Sequence, residues 1–381
     1  MGWNGYNHFS RNVTAAIVEA EARAIVSSGM KAAGYTYVNL DGGWNLLQRS
    51  PSGQLQANPA LFPDGIAPVA RYVHSLGLKF GIYASAGTTN CAGTSAGSYG
   101  HYQQDADTFA SWGVDYVKFD YCDIPYQDFP GMTEMQVGQL LGTEMGHALA
   151  SAGRPMVYDI NDANATRNHD LDWTWAPRIA NLWRVTSDIS DSYTSMLNHF
   201  CGCDLSTPSS YDLELSRYAR PGAWNDPDML EVGNGGMTNT EDQTEFSLWA
   251  EMAAPLLAGN DLTTMSAATR EILTNRAVIA VDQDPLGRQG FAVQSANGLW
   301  VLTKPLAGGD RAVVLFNQNA SAAVITTDAA QVGLPRARAY ILRNLWMHTT
   351  TMSNGTISAT VPGHAVVMYR VSARGRVLGA R

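Results

Sequence analysis

"VDYVKFDYC", residues 114–122, decides how the chain is read. Val114, Tyr116 and Val117 are residues of a buried β-strand. The run nevertheless closes on Lys118, Asp120 and Cys122. Side chains alternate along a strand, so Lys118 and Asp120 point the same way. Charged groups at the end of a core strand are costly unless they are used.

Similar short apolar runs recur along the chain: "YTYVNLDGGW" (35–44), "LKFGIYASAG" (78–87), "PMVYDIND" (155–162), "NLWRVTSD" (181–188), "GAWNDPDML" (222–230) and "APLLAGNDL" (254–262). With "GWNGY" at the start they make eight. Helical stretches lie between them. In "MTEMQVGQLLGTEMGHALASAG", Val137, Leu141, Met145 and Ala148 share one helix face and Gly153 follows the end. Strands alternating with helices pair in parallel through crossovers. Eight such units over about 285 residues predict a (β/α)8 TIM barrel.

After "QDPLGRQG" (283–290) the texture changes to short alternating runs, "LWVLTKPL", "RAVVLFNQ", "ARAYILRN" and "HAVVMYRV", separated by Gly, Asn and Pro. These predict a small C-terminal antiparallel β-sandwich domain. The expected division is 1–288 for the barrel and 289–381 for the β domain.

The 381 residues, 45% of them hydrophobic, suffice for one large core and a smaller one. A formal charge of −9 offers no basic face to a nucleic acid. No run approaches the roughly 18 consecutive apolar residues of a membrane span. Nucleic acid and membrane are therefore not expected partners. The chain starts directly on a structural element, so any secretory leader is expected to have been trimmed upstream of Met1.

A barrel of this kind works at the carboxyl ends of its strands. There the sequence places Asp41, Trp44, Tyr83, Lys118, Asp120, Asn161, Trp183, Arg184, Asp188, Trp224, Asp226, Asp228 and Met229. Carboxylates that accept from vicinal hydroxyls, aromatic faces for ring C–H groups, and two acids for bond cleavage make a sugar site. A metal is the rival use of clustered Asp. His is absent from these strand ends, and Lys118 and Arg184 oppose a cation, so no metal is expected.

"MGWNGY", "LDGGW", "LKFGIYASAG…NCAG", "GVDYVKFDYC", "WRVTSDISDSY", "WNDPDML" and "VDQDPLGRQG" together resemble glycoside hydrolase family 27, the α-galactosidase family, in order and over almost the whole chain. The resemblance implies a barrel with a C-terminal β domain, a retaining double displacement and no cofactor. Asp120 then matches the nucleophile, and Lys118 a hydroxyl ligand whose charge keeps that carboxylate ionised. Asp188 matches the general acid/base, whose pKa the neighbouring Asp120 is expected to raise. Arg184 matches the holder of the sugar 2-hydroxyl. Asp41, Tyr6, Trp44, Tyr83, Asn161, Asp228 and Met229 are carried over as substrate-binding positions. Asp226 and Trp224 are expected as scaffold, and Asp191 as an acid or cap at a helix N-terminus. Cys91 and Cys122 match the family's disulfide beside the site. Cys201 and Cys203 remain open between a tight disulfide, a metal pair and free thiols. Disulfides favour secretion.

Three departures bear on specificity. Gly42 stands where the family carries the second acid of "D-D-x-W". Asn161 stands in place of the Glu of "C-E-W", and Tyr6 in place of a Trp. All three are expected on the side of the pocket that reads C4 and C6. The expected activity is hydrolysis of terminal α-galactosides in an oligo- or polysaccharide. β-L-arabinopyranosidase and isomalto-dextranase activity are the alternatives within the family, and a non-catalytic carbohydrate-binding protein is the alternative outside it. The sequence leaves the oligomeric state open.

Overall fold

A computed structural model describes residues 1–161, 172–202 and 212–376. Eight parallel strands follow the eight apolar runs: β1 (Gly2–Asn4), β2 (Tyr37–Leu40), β3 (Lys79–Ser85), β4 (Tyr116–Asp120), β5 (Val157–Asn161), β6 (Leu182–Arg184), β7 (Trp224–Asp226) and β8 (Leu257–Ala258). Their hydrogen-bonded order is β7-β6-β5-β4-β3-β2-β1-β8. Helices return the chain between them: α1 (Ala15–Ser27), α2 (Ile66–Ser75), α3 (Tyr102–Trp112), α4 (Glu134–Ser151), α5 (Tyr193–Cys201) and α6 (Asn239–Met252), with α7 (Ala267–Leu273) and α8 (Arg276–Asp282) after β8. The architecture is the expected (β/α)8 barrel.

The barrel closes in an irregular way. Pro227 has no N–H to give a ladder, and Asp228 adopts a positive φ of 87°, so β7 stops at Asp226. The seam is made four residues later. Leu230 N–H donates to Leu257 O and Leu230 O accepts from Gly259 N–H, at 2.8 and 2.9 Å.

The predicted helix is α4. It buries Val137, Leu141, Met145 and Ala148. It opens with a capping box in which Thr133 and Gln136 satisfy each other's backbone N–H groups.

Eight antiparallel strands follow: β9 (Phe291–Ala296), β10 (Leu299–Pro305), β11 (Arg311–Asn317), β12 (Ala323–Asp328), β13 (Ala337–Asn344), β14 (Thr350–Ser353), β15 (Thr356–Val361) and β16 (Ala365–Arg376). Six form one sheet, in the order β14-β13-β16-β11-β10-β9, and the β12–β15 pair forms a second. Alternation along the strands builds two cores. Val301, Val313 and Leu315 pack with Ile325 and Ile357 of the pair. Leu302, Val314 and Phe316 face the other way and join the barrel core.

Lys304 sits on that barrel-facing side of β10, fully buried, with its Nζ donating to Ala250 O at 2.8 Å. Burial pushes Glu251 up to about 8 and Asp282 up to about 6, while the Lys304 ammonium draws both back down. Burial also lowers Lys304 itself. Carboxyls whose folded pKa is raised lose stability as pH climbs through that value. Lys304→Met is therefore expected to cost about 3–5 kcal/mol at pH 8, the usual result of stranding buried charge. The cost should be smaller at pH 5, where both acids take up protons. Urea unfolding at the two pH values measures this, and equal losses would contradict the coupling.

Candidate active site

The carboxyl ends of the strands open into a cavity of about 500 Å3. Alternation on β4 turns Lys118 and Asp120 to it together, and Asp41 joins them from the end of β2. Lys118 Nζ lies 2.8 Å from Asp41 Oδ2 and 3.9 Å from Asp120 Oδ1. Asn4 Nδ2 also donates to Asp41 Oδ2 at 2.7 Å, and Gly42 N–H donates to its Oδ1 at 2.7 Å. Burial alone would lower the Lys118 ammonium, but Asp41, Asp120 and Asp228 outweigh it and hold the group above its ordinary value.

Asp120 is 8% exposed, and its Oδ1 has no hydrogen-bond partner among the described residues. Burial pushes its pKa up to about 7 against the pull of Lys118. The expectation that Lys118 keeps this carboxylate ionised is thus met only in direction. Lys118 lowers the value, and desolvation wins. Cys91 and Cys122 are disulfide-bonded beside it, and Cys91 Sγ lies 3.5 Å from Asp120 Oδ2. Cys201 is also disulfide-bonded, while Cys203 lies outside the described residues.

A second charge cluster forms from β6 and β7. Arg184, 2% exposed, places Nη2 2.9 Å from both Asp188 Oδ1 and Asp228 Oδ2, and 2.6 Å from Ser187 O. Asp228 is fixed from all sides. Its N–H donates to Asp226 Oδ1, its Oδ1 accepts from Met229 N–H, its Oδ2 accepts from Ile189 N–H, and its carbonyl accepts from Trp249 Nε1. Such bonding is what holds a non-glycine residue at a positive φ.

Asp188 differs from expectation in two ways. It lies four residues past Arg184, in the loop after β6, with its side chain 74% exposed. What desolvation it feels is outweighed by Arg184 and Lys118, so its pKa falls below the ordinary value instead of rising. A direct guanidinium contact dominates over the more distant Asp120 charge.

Tyr6, Tyr83 and Met229 line the cavity. Trp44 does not. It is buried, stacks edge-on against Trp112 and Phe109, and donates Nε1–H to Tyr83 O at 3.0 Å, so it buttresses the wall from the core. Asn161 is buried on β5, paired in register with Asp120 and next to β6. It does not line the cavity, and it lies across the barrel from Gly42 and Tyr6, so the three departures do not share one side of the pocket. Asp226 Oδ1 accepts from Asp228 N–H at 2.8 Å, and neither Asp226 nor Trp224 lines the cavity. Asp191 accepts from Gly236 N–H, and the α5 cap is Ser192 instead.

Asn7, Glu231 and Asn234, which no motif pointed to, also line the cavity. Both Glu231 oxygens accept from amides, Asn7 Nδ2 and Asn234 Nδ2, each at 2.6 Å, and burial pushes its pKa up to about 7. Only the fold brings position 7 to position 231; no local pattern links them.

Two clusters of Asp with a cation each, set in a cavity with tyrosine walls, are equipment for binding and cleaving a sugar. Residues 6–284 match the family described as alpha galactosidase A (Melibiase_2), and residues 296–371 match the alpha galactosidase C-terminal beta sandwich domain. The α-galactosidase of Cyamopsis tetragonoloba is 42% identical over 98% of this chain and 86% of its own, and that of Coffea arabica 44% over 97% and 92%. The crystal structure of α-galactosidase I from Mortierella vinacea superposes with a TM-score of 0.88 at 34% identity, covering 99% of this chain and 97% of that one. The chain is a glycosidase, and it belongs to glycoside hydrolase family 27, the α-galactosidase family.

Because Lys118 pulls the Asp120 pKa down, Lys118→Met is expected to move the Asp120 titration above about 7. Carbon-13 titration of the labelled carboxyl reads it directly, and a midpoint that stays put or falls would contradict the assigned balance.

Proposed function

We propose that the protein is a retaining hydrolase of terminal α-galactosides. Asp120 attacks the anomeric carbon and forms a glycosyl ester, while Asp188 gives its proton to the departing glycosidic oxygen. Asp188 then takes a proton from water, whose oxygen attacks the anomeric carbon and frees Asp120. The observation that carries this reading is the Asp120 carboxylate, which is buried at a strand end, lines the cavity and keeps Oδ1 without a hydrogen-bond partner among the described residues. Relatives named α-galactosidases, more than 40% identical over nearly the whole chain, support the galactoside.

The two pKa shifts fit these roles once substrate is bound. A sugar covering Asp188 removes water from it, and a 2-hydroxyl on Arg184 competes for the guanidinium. Both effects raise Asp188 toward the range of a working acid. Asp120 needs to be ionised, so in the free enzyme kcat/KM is expected to fall below about pH 7. Asp120→Ala should abolish turnover, with azide restoring part of it as the inverted glycosyl azide. Asp188→Ala should spare dinitrophenyl glycosides far more than nitrophenyl ones. Equal losses on both would remove Asp188 from the acid role.

Gly42 sets the preference within that reaction. A Cβ built there meets the Tyr83 ring at 3.5 Å, ordinary contact distance, so the position admits a side chain without a backbone shift. Losing a charged partner costs roughly 1.5–3 kcal/mol, about one to two decades in kcat/KM for a sugar that used it. The enzyme is therefore a weakened galactosidase that tolerates a C6-extended glucan or a pentopyranose. Gly42→Asp should raise turnover of nitrophenyl α-galactoside and lower that of isomalto-oligosaccharides. No change on either substrate would return the protein to plain α-galactosidase.

Residues 1–288 then act as the catalytic barrel and 289–381 as its β domain, and the disulfide beside Asp120 suits an oxidising, extracellular location. No helix among the described residues is long and apolar enough to cross a membrane.

A further inference from the structure

His199, on the buried face of α5, takes no part in the chemistry above, yet it is 3% exposed and both ring nitrogens have close partners. Nε2 lies 2.8 Å from Ser187 O, and Nδ1 lies 2.7 Å from Ser195 O. Carbonyl oxygens only accept, so a ring nitrogen at either distance needs a hydrogen. Ser195 is four residues back on the same helix, where its carbonyl already has the usual helical partner. The contact with consequence is the other one, because Ser187 immediately precedes Asp188.

We propose that His199 is the positioning residue of the acid/base loop: its Nε2–H, donated to Ser187 O, fixes the backbone from which Asp188 projects. This rests on the acid/base reading of Asp188. Ser187 O then accepts two bonds, the other from Arg184 Nη2 at 2.6 Å, and so fills both lone pairs. The loop is clamped from two elements, β6 through Arg184 and α5 through His199. Without the second clamp, the Asp188 side chain keeps only Arg184, which also has to serve Asp228 and the substrate, and its backbone only the neighbouring bonds of Ile189 N–H to Asp228 Oδ2 and Ser190 N–H to Ser195 Oγ.

The ring's surroundings agree. Burial lowers its pKa from the ordinary value, Asp228 and the two carbonyls push it back up, and Arg184 opposes them. His199 is in turn one of the groups that hold the Asp188 pKa down. In the neutral ring the proposal places the single hydrogen on Nε2, toward Ser187 O. The imidazolium satisfies Ser195 O as well.

The test uses the Gln and Asn variants of this one position. A Gln amide nitrogen reaches the place of Nε2, whereas an Asn amide reaches only that of Nδ1. His199→Gln is expected to keep the wild-type ratio of kcat/KM between 2,4-dinitrophenyl and 4-nitrophenyl glycosides of whichever sugar the wild type cleaves fastest. His199→Asn is expected to lose about tenfold on the nitrophenyl glycoside, the worth of one hydrogen bond, and little on the dinitrophenyl one. Imidazole nitrogen-15 shifts of the wild type should show a hydrogen on Nε2. An unprotonated Nε2, or an Asn variant whose two substrates fall together, would overturn the proposal. Asp188→Ala run alongside separates the two readings. If it shows the leaving-group dependence and His199→Asn does not, only the positioning role fails; if it shows none, the acid role itself is lost.

Discussion

Lys118 and Arg184 are the two cations on which the mouth of the barrel depends. Between them they face Asp41, Asp120, Asp188 and Asp228, with Asp159 and Asp226 immediately below. So many carboxylates in a desolvated space cannot all ionise. Burial leaves Asp159 near 8 and Asp226 near 6, and the Tyr116 hydroxyl donates to Asp159 Oδ2 at 2.6 Å. Each cation stands between an acid that shapes the cavity and an acid that can react: Lys118 between Asp41 and Asp120, Arg184 between Asp228 and Asp188. The distances differ in a useful way. Arg184 touches Asp188 directly and suppresses its pKa, while Lys118 stands 3.9 Å from Asp120, a looser pairing that leaves it partly desolvated. A carboxylate with a free oxygen and weak solvation is more nucleophilic than one held by a full ion pair.

Much of this was legible in the sequence. The eight apolar runs became the eight barrel strands because a parallel strand buried on both faces is written as an unbroken apolar segment. The period-2 rule placed Lys118 and Asp120 together, and the motif placed Arg184 and Asp188. What failed was whatever depended on depth or on direction around the barrel. Trp44 follows a strand end just as a pocket residue would, and nothing in "LDGGW" says that its ring turns inward to Phe109 and Trp112. Asn161 was placed with Gly42 and Tyr6 because all three are departures. Strand order separates them, since β5 lies three strands from β2. Contacts such as Asn7 to Glu231 join sequence positions that only barrel closure brings together.

The β domain takes part in the same economy of position. It touches the barrel at α5 and α6, the helices that follow the loops carrying Asp188 and Asp228. The Tyr193 ring, at the start of α5, stacks on His364 at 4.0 Å, and its hydroxyl donates to Gln318 O. His364 pairs with Glu241, the capping-box acid of α6, and its carbonyl accepts from Thr244 Oγ1. Farther along α6, Trp346 Nε1 donates to Ser247 Oγ. A helix of nine residues such as α5 has little stability of its own and takes its position from what it packs against. Loops at the mouth of a barrel must stay open to substrate and cannot be packed from above. They can be held from behind, through the helices into which they run. In this chain α5 is gripped by the β domain at Tyr193 and grips the loop at Ser187 through His199, so the placement of Asp188 is tied through one short helix to a domain none of whose described residues lines the cavity.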